Sequence, residues 1–181
     1  MAIHVVSRRR SRAAVEAAHP GALILDVTSR ADEPWVRFSP FYPHGGIPVP
    51  FCPGVFAESV EGIWQGLKVF AGAGADPSRF AVTSMKGIKR TVRRYGPVLG
   101  HRAGEDLLPY GRARREIYLP AYRWMLENRA AGLAGELRGL AEARDVVLLD
   151  YTVNGDVADE SRPLSHAALV RAFVEDRWPA F

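Results

Sequence analysis

Apolar runs of strand length stand near both ends of the chain, and the middle follows helical spacing. "IHVV" (3–6) and "ALILDVT" (22–28) predict short buried strands, with "SRAAVEAAH" (11–19) a helix between them. Residues 29–53, which include "EPWVRFSPFYPHGGIPVPFCP", show no period and are dense in proline, glycine and aromatics. So long a connection points to a functional or disordered loop. Trp35, Phe38, Phe41, Tyr42 and Phe51 favour order, because disordered segments are poor in aromatics. From there helical spacing dominates. Residues 58–72 predict one helix, and "DPSRFAVTSMKGIKRTVRRYG" (76–96) a helix pair or one interrupted helix, opened by Asp76-Pro77 and closed by Gly96-Pro97. Residues 111–130 predict a helix broken or kinked at Pro120, and 134–144 another. "DVVLLDYTV" (145–153) is the strongest strand, and 165–178 a closing helix capped by Ser165. With no repeat, low-complexity tract or linker, the pattern predicts an α+β, helix-rich single domain over residues 1–181. Its small sheet is formed by the N-terminal strands and the strand near 145–153.

One helix raises a question of chemistry. In "SVEGIWQGLKVF" (59–70), Glu61, Gln65 and Lys68 fall at i, i+4 and i+7 and share a face, opposite Val60, Ile63, Trp64 and Leu67. An amphipathic helix with a solvated face has this pattern. Gly62 and Gly66 fit such a helix poorly, since each costs about 0.8–1 kcal/mol against alanine. Glycines one turn apart let another backbone or a ligand approach closely.

Composition narrows the classes. At 48% apolar and 24% charged the chain is ordinary for a soluble globular protein. No apolar run approaches the roughly 20 residues of a membrane span, and the N-terminal charges follow the apolar run, the wrong order for a secretory signal. The single cysteine, Cys52, excludes an internal disulfide and a thiolate-rich metal site, so a reducing cytoplasm is expected. His4, His19, His44 and His101 show no ligand spacing, and there is no H-E-x-x-H, glycine-rich phosphate loop or G-x-S-x-G. No metal and no cofactor are expected. A net charge of +4 suits an anionic small molecule, a phosphorylated nucleotide or nucleic acid.

"FSPFYP" (38–43) followed by "SVEGIWQGLK" (59–68) resembles the paired signature of the NADAR superfamily, also called YbiA-like: an F-S-N-F-Y-P-type loop, then S-V-E-x-x-x-Q-x-x-K on a helix. Phe38, Ser39, Phe41, Tyr42, Pro43, Ser59, Val60, Glu61, Gln65 and Lys68 fall on the pattern. "LLDYTVNGDVADES" resembles that family's later segment, while "PLSHAAL" stands where the family carries an aspartate followed by W-G. The chain is thus similar to a divergent member. The resemblance implies a YbiA-like fold and N-glycosidase chemistry on a phosphorylated ribosyl-base compound or an ADP-ribosyl group, with Glu61 as catalytic carboxylate.

Cleaving a ribose C1′–N bond passes through an oxocarbenium-like state, which needs a carboxylate to stabilise positive charge and to deprotonate water. Glu61 is suited to both tasks. Gln65 is placed to hold the water or a ribose hydroxyl, Lys68 to meet a phosphate or fix Glu61, and Ser39, Phe41 and Tyr42 to contact substrate. Lys86, Arg90 and Arg93 share a face on the predicted helix and form either a phosphate site or a solvated basic face; Arg37 is a second phosphate candidate. At the end of the last strand, Asp150 and Asn154 are candidates to line the pocket, and His166 to protonate the departing base. For Asp150 and His166 the competing reading is helix capping. Two rivals remain: a non-catalytic module that binds ADP-ribose or a nucleotide, and action on ADP-ribosylated nucleic acid, for which no RNA- or DNA-binding signature is present.

Overall fold

The computed structural model describes residues 2–179. In chain order the elements begin with β1 (Ile3–Ser7), α1 (Arg12–Ala18), β2 (Leu23–Asp26), β3 (Ile47–Pro48), β4 (Phe56–Ala57), α2 (Val60–Leu67) and β5 (Lys68–Phe70). They continue with α3 (Val92–Tyr95), β6 (Val98–Ala103), β7 (Asp106–Leu108), α4 (Tyr110–Ala113), α5 (Leu119–Asn128), α6 (Ala131–Ala143), β8 (Val146–Asp150) and α7 (His166–Val174). Turns of 3-10 helix occupy Trp35–Phe38 and Pro77–Ala81, and a π-helical stretch, Arg114–Tyr118, joins α4 to α5. The architecture is mixed α/β, with three small sheets among the described residues. None of their helices is long and apolar enough to cross a membrane. The chain divides into two compact units: Pro40–Met125, and the described residues up to Ser39 together with those from Leu126 onward.

The unit holding both ends of the chain is built on a parallel sheet of order β1-β8-β2, the sheet expected from the apolar runs. Val146, Val147 and Leu148 are fully buried, because a central parallel strand is covered on both faces and reads as a continuous apolar run. On one face Val15 of α1 packs with Val6 and Val147, flanked by Ile24 and Leu149. Alternation along β8 turns Asp150 to the other face, where it meets the start of α7. Ser11 and Ser165 cap α1 and α7 by accepting from the N–H groups of Ala14 and Ala168 at 3.2 and 3.1 Å.

In the Pro40–Met125 unit the structure corrects several expectations. The helix expected over 58–72 stops at Leu67; Lys68 turns extended and opens β5, which pairs antiparallel with β6. "LKVF" satisfies a helical and a strand period alike, and pairing with β6 decides between them. The hairpin β6–β7, turning at Gly104 with φ +60°, was not foreseen. Residues 76–96 hold only the 3-10 turn and α3, with irregular chain between them. Local bonds compete with helix there: Arg79 Nη1 donates to Gly87 O at 3.0 Å, and Lys86 N–H to Ser84 Oγ at 3.1 Å. Lys86, Arg90 and Arg93 therefore share no helical face. No break falls at Pro120, the second residue of α5; the irregularity lies just upstream, in the π-helical stretch, where a shifted bonding register absorbs a missing donor. The long loop is ordered in part, by the 3-10 turn at Trp35–Phe38 and the β3–β4 pair.

Candidate functional site

The polar face of α2 is not solvated. Glu61 and Gln65 are only 7% and 4% exposed, and Lys68 is half-buried. Gln65 Nε2 donates to Glu61 Oε1 at 2.9 Å, and Gln65 Oε1 accepts from the Arg90 N–H at 2.9 Å, so the amide is held from both ends. The start of α2 is fixed twice: Ser59 Oγ accepts from Gly62 N–H at 3.0 Å, and Glu61 N–H donates to Pro40 O at 2.8 Å. That last bond ties the aromatic loop to the residue expected to act on substrate. Half-buried Phe41 and Tyr42 follow Pro40 directly, and Lys89 Nζ lies 5.2 Å from the centre of the Phe41 ring.

Burial dominates the electrostatics. It pushes the Glu61 carboxyl above its usual range, against the Gln65 hydrogen bond and the charges of Lys68 and Lys89. Burial likewise pulls Lys68 down, opposed by Glu61 and reinforced by Lys89 and Arg90. Lys68 Nζ sits 5.7 Å from the centre of the Trp64 ring. Trp64 in turn stacks on His101 at 3.7 Å, with Tyr110 and Tyr118 edge-on. His101 pairs with Lys68 across β5 and β6, is fully buried, and has no hydrogen-bond partner at either ring nitrogen. Burial, then the charge of Lys68, lowers its pKa to about 3, so the ring is neutral near pH 7. His101 was not among the expected site residues. The alternating "GHRA" before a glycine turn was the available signal for the strand that carries His101.

The two glycines of α2 have a structural cause. A Cβ on Gly62 would stand 2.7 Å from the carbonyl oxygen of Arg79, and one on Gly66 would run into the Phe80 ring. The close neighbour is the 3-10 turn, not a ligand. Gly62→Ala is therefore expected to lose about 1–3 kcal/mol to steric strain, despite the roughly 0.8–1 kcal/mol that alanine gains in helix propensity. Urea unfolding checks it: unchanged or increased stability would contradict the packing.

Arg90 is a strut rather than an open phosphate ligand. It is 6% exposed, and its guanidinium donates to the carbonyls of Lys68 at 2.6 Å, Gly74 at 2.7 Å and Gln65 at 3.3 Å. Its centre lies 4.9 and 5.0 Å from the Phe70 and Tyr95 rings. Lys86 is exposed.

The remaining expected residues belong to the other unit. Arg37 is exposed in the 3-10 turn and Ser39 is buried just after it. Asn154 organises its own loop, donating to the carbonyls of Asp159 and Arg162 at 3.2 and 3.3 Å and accepting from Asp156 N–H at 2.9 Å. Asp150 accepts from Ser165 Oγ at 2.8 Å and Ala167 N–H at 3.3 Å, and lies 3.1 Å from His166 Nδ1. His166 Nε2 reaches Val27 O at 2.8 Å. Both ring nitrogens thus face acceptors, which favours the doubly protonated ring and the capping role over acid catalysis. Burial pulls His166 down, but the charge and hydrogen bond of Asp150 outweigh it and the pKa is raised; Asp150, also opposed by burial, is lowered chiefly by the charge of His166.

A raised His166 contributes stability present below about pH 6.5 and lost as pH rises through its folded value; a lowered Asp150 contributes stability present above about pH 3.8 and lost on acidification. Thermal melts should therefore show His166→Gln losing more against wild type at about pH 5.5 than at about pH 9. A loss independent of pH would remove the ion pair.

Among the described residues no group of three or more His, Cys, Asp or Glu is placed to hold a metal. A buried carboxylate with cations near it and aromatic rings on the adjoining loop has the elements of a small-molecule site. By sequence the chain belongs to the family described as "Family of unknown function (DUF6939)", which matches residues 7–170. No curated protein and no solved structure matches it.

Proposed function

We propose that the protein is a cytoplasmic N-glycosidase of NADAR, or YbiA-like, type, hydrolysing the ribose–base bond of a phosphorylated ribosyl-base or ADP-ribosyl compound. The observation that carries the reading is Glu61: a carboxylate buried on a catalytic-type motif, raised in pKa, and bonded through its own N–H to the loop bearing Phe41 and Tyr42. Glu61 takes a proton from water as the water oxygen bonds to C1′. The C1′–N bond breaks with its electron pair leaving on the base, which takes up a proton. Gln65 holds the Glu61 oxygen in place, Lys68 and Lys89 supply positive charge toward a phosphate, and the two aromatic rings offer faces for stacking.

Titration with ADP-ribose, followed by tryptophan fluorescence, tests the recognition half. Saturable binding weakened roughly tenfold by Phe41→Ala is expected, on the scale of one lost base–aromatic stack. Binding indifferent to Phe41→Ala would count against this placement of substrate.

A further inference from the structure

The arginine-rich turn "SRRRSR" (7–12) plays no part in the chemistry around Glu61. It leaves the carboxyl end of β1 and leads into α1, and Arg8 N–H is held by Asp150 O at 2.8 Å. A crevice of about 250 Å³ opens there. Its floor is apolar, made by Val15, Ile24 and Leu149, and its walls are Arg8, Arg10, Arg12 and Asp26. Open parallel sheets take ligands outside the carboxyl ends of their strands, which is where this crevice lies.

The charges are unevenly tied down. Arg8 Nε donates to Asp26 Oδ2 at 2.6 Å, and its guanidinium lies 5.8 Å from the centre of the Tyr151 ring. Asp26 is itself fixed by Thr28 N–H at 2.9 Å. Arg8 is therefore a rigid wall whose charge is compensated. Arg10 reaches only Ala14 O, at 3.5 Å, and Arg12 is paired through Nε to Glu16 on the exposed side of α1. The lining thus carries three guanidinium groups and one carboxylate, with Glu16 pairing Arg12 from outside it and Arg10 left without a carboxylate partner among the described residues.

We propose that this crevice binds the phosphate group of a small phosphate monoester. Arg10 and Arg12 take the oxyanion, Arg8 is a fixed third donor, and the Val15–Ile24–Leu149 floor lies under the organic part. Planar guanidinium forks match phosphate oxygens in pairs, and a crevice of this size holds a phosphorylated sugar rather than a dinucleotide. The proposal is independent of the Glu61 chemistry.

Isothermal titration of the full-length protein with inorganic phosphate and with ribose 5-phosphate, at ionic strength fixed by sodium chloride, tests it. Expected is saturable binding of both, weakened roughly tenfold or more in the Arg10→Ala/Arg12→Ala variant, the scale of one lost charged hydrogen bond. Both side chains are exposed, so folding should survive; Arg10→Gln/Arg12→Gln, which keeps polarity and length, should weaken binding alike. Amide shifts confined to residues 7–12 would place the ligand in the crevice. Equal affinity in the arginine variants, no saturable binding, or tighter binding of an oligonucleotide without terminal phosphate would each overturn the proposal.

Discussion

Glu61→Gln should leave folding and ligand affinity intact while removing at least about 10²-fold of the rate of base release, the usual worth of a positioned general base. The substitution is nearly isosteric, and the Gln65 amide can still donate to the retained side-chain oxygen. It removes only the ability to take a proton and the negative charge beside C1′. The wild-type pH profile carries the same signature. A general base works deprotonated, so the rate falls as pH drops through its pKa. Burial raises that value, so the acid limb should lie above the usual 4.5 of a glutamate. Undiminished turnover in Glu61→Gln would move the chemistry to another residue.

Arg90→Ala should destabilise the Pro40–Met125 unit by about 3 kcal/mol, since a buried side chain is lost and one buried and two part-buried carbonyls lose a charged donor together. The affected acceptors are Lys68 O, Gly74 O and Gln65 O, which join the end of α2 and the start of β5 to the irregular chain beyond. Arg90→Lys should recover little, because one ammonium cannot replace a planar fork spread over three acceptors. Denaturant unfolding separates this role from phosphate binding. A phosphate ligand at the surface would cost affinity and leave stability within about 0.5 kcal/mol of wild type.

The parallel sheet was legible because its strands are short, continuous apolar runs, and β8 carries the burial on both faces that such runs announce. Ser165 as a cap could be read for a similar reason: it rests on a local rule. Residues 76–96 misled because their basic and apolar positions fit a helical period that tertiary contacts override. Arg90 is drawn inside to bind carbonyls, and Lys86 stays outside. The glycines of α2 were noticed, but spacing cannot tell a ligand from a neighbouring turn, and here the neighbour is Arg79–Phe80. In the candidate site, Glu61, Gln65 and Lys68 share a face as spacing predicts, but their burial depends on partners far along the chain. His101 was out of reach without the β5–β6 pairing that sets it opposite Lys68.

The most direct measurement is chromatographic detection of free base from ribosylamino-pyrimidine phosphates, purine nucleotides, NAD, ADP-ribose conjugates and ADP-ribosylated DNA, incubated with wild type and with Glu61→Gln. Base release from at least one of these compounds by wild type is expected, and little or none by the variant. A nucleotide bound tightly for hours with no base released would contradict it, and would leave a binding module in which Glu61 serves recognition alone.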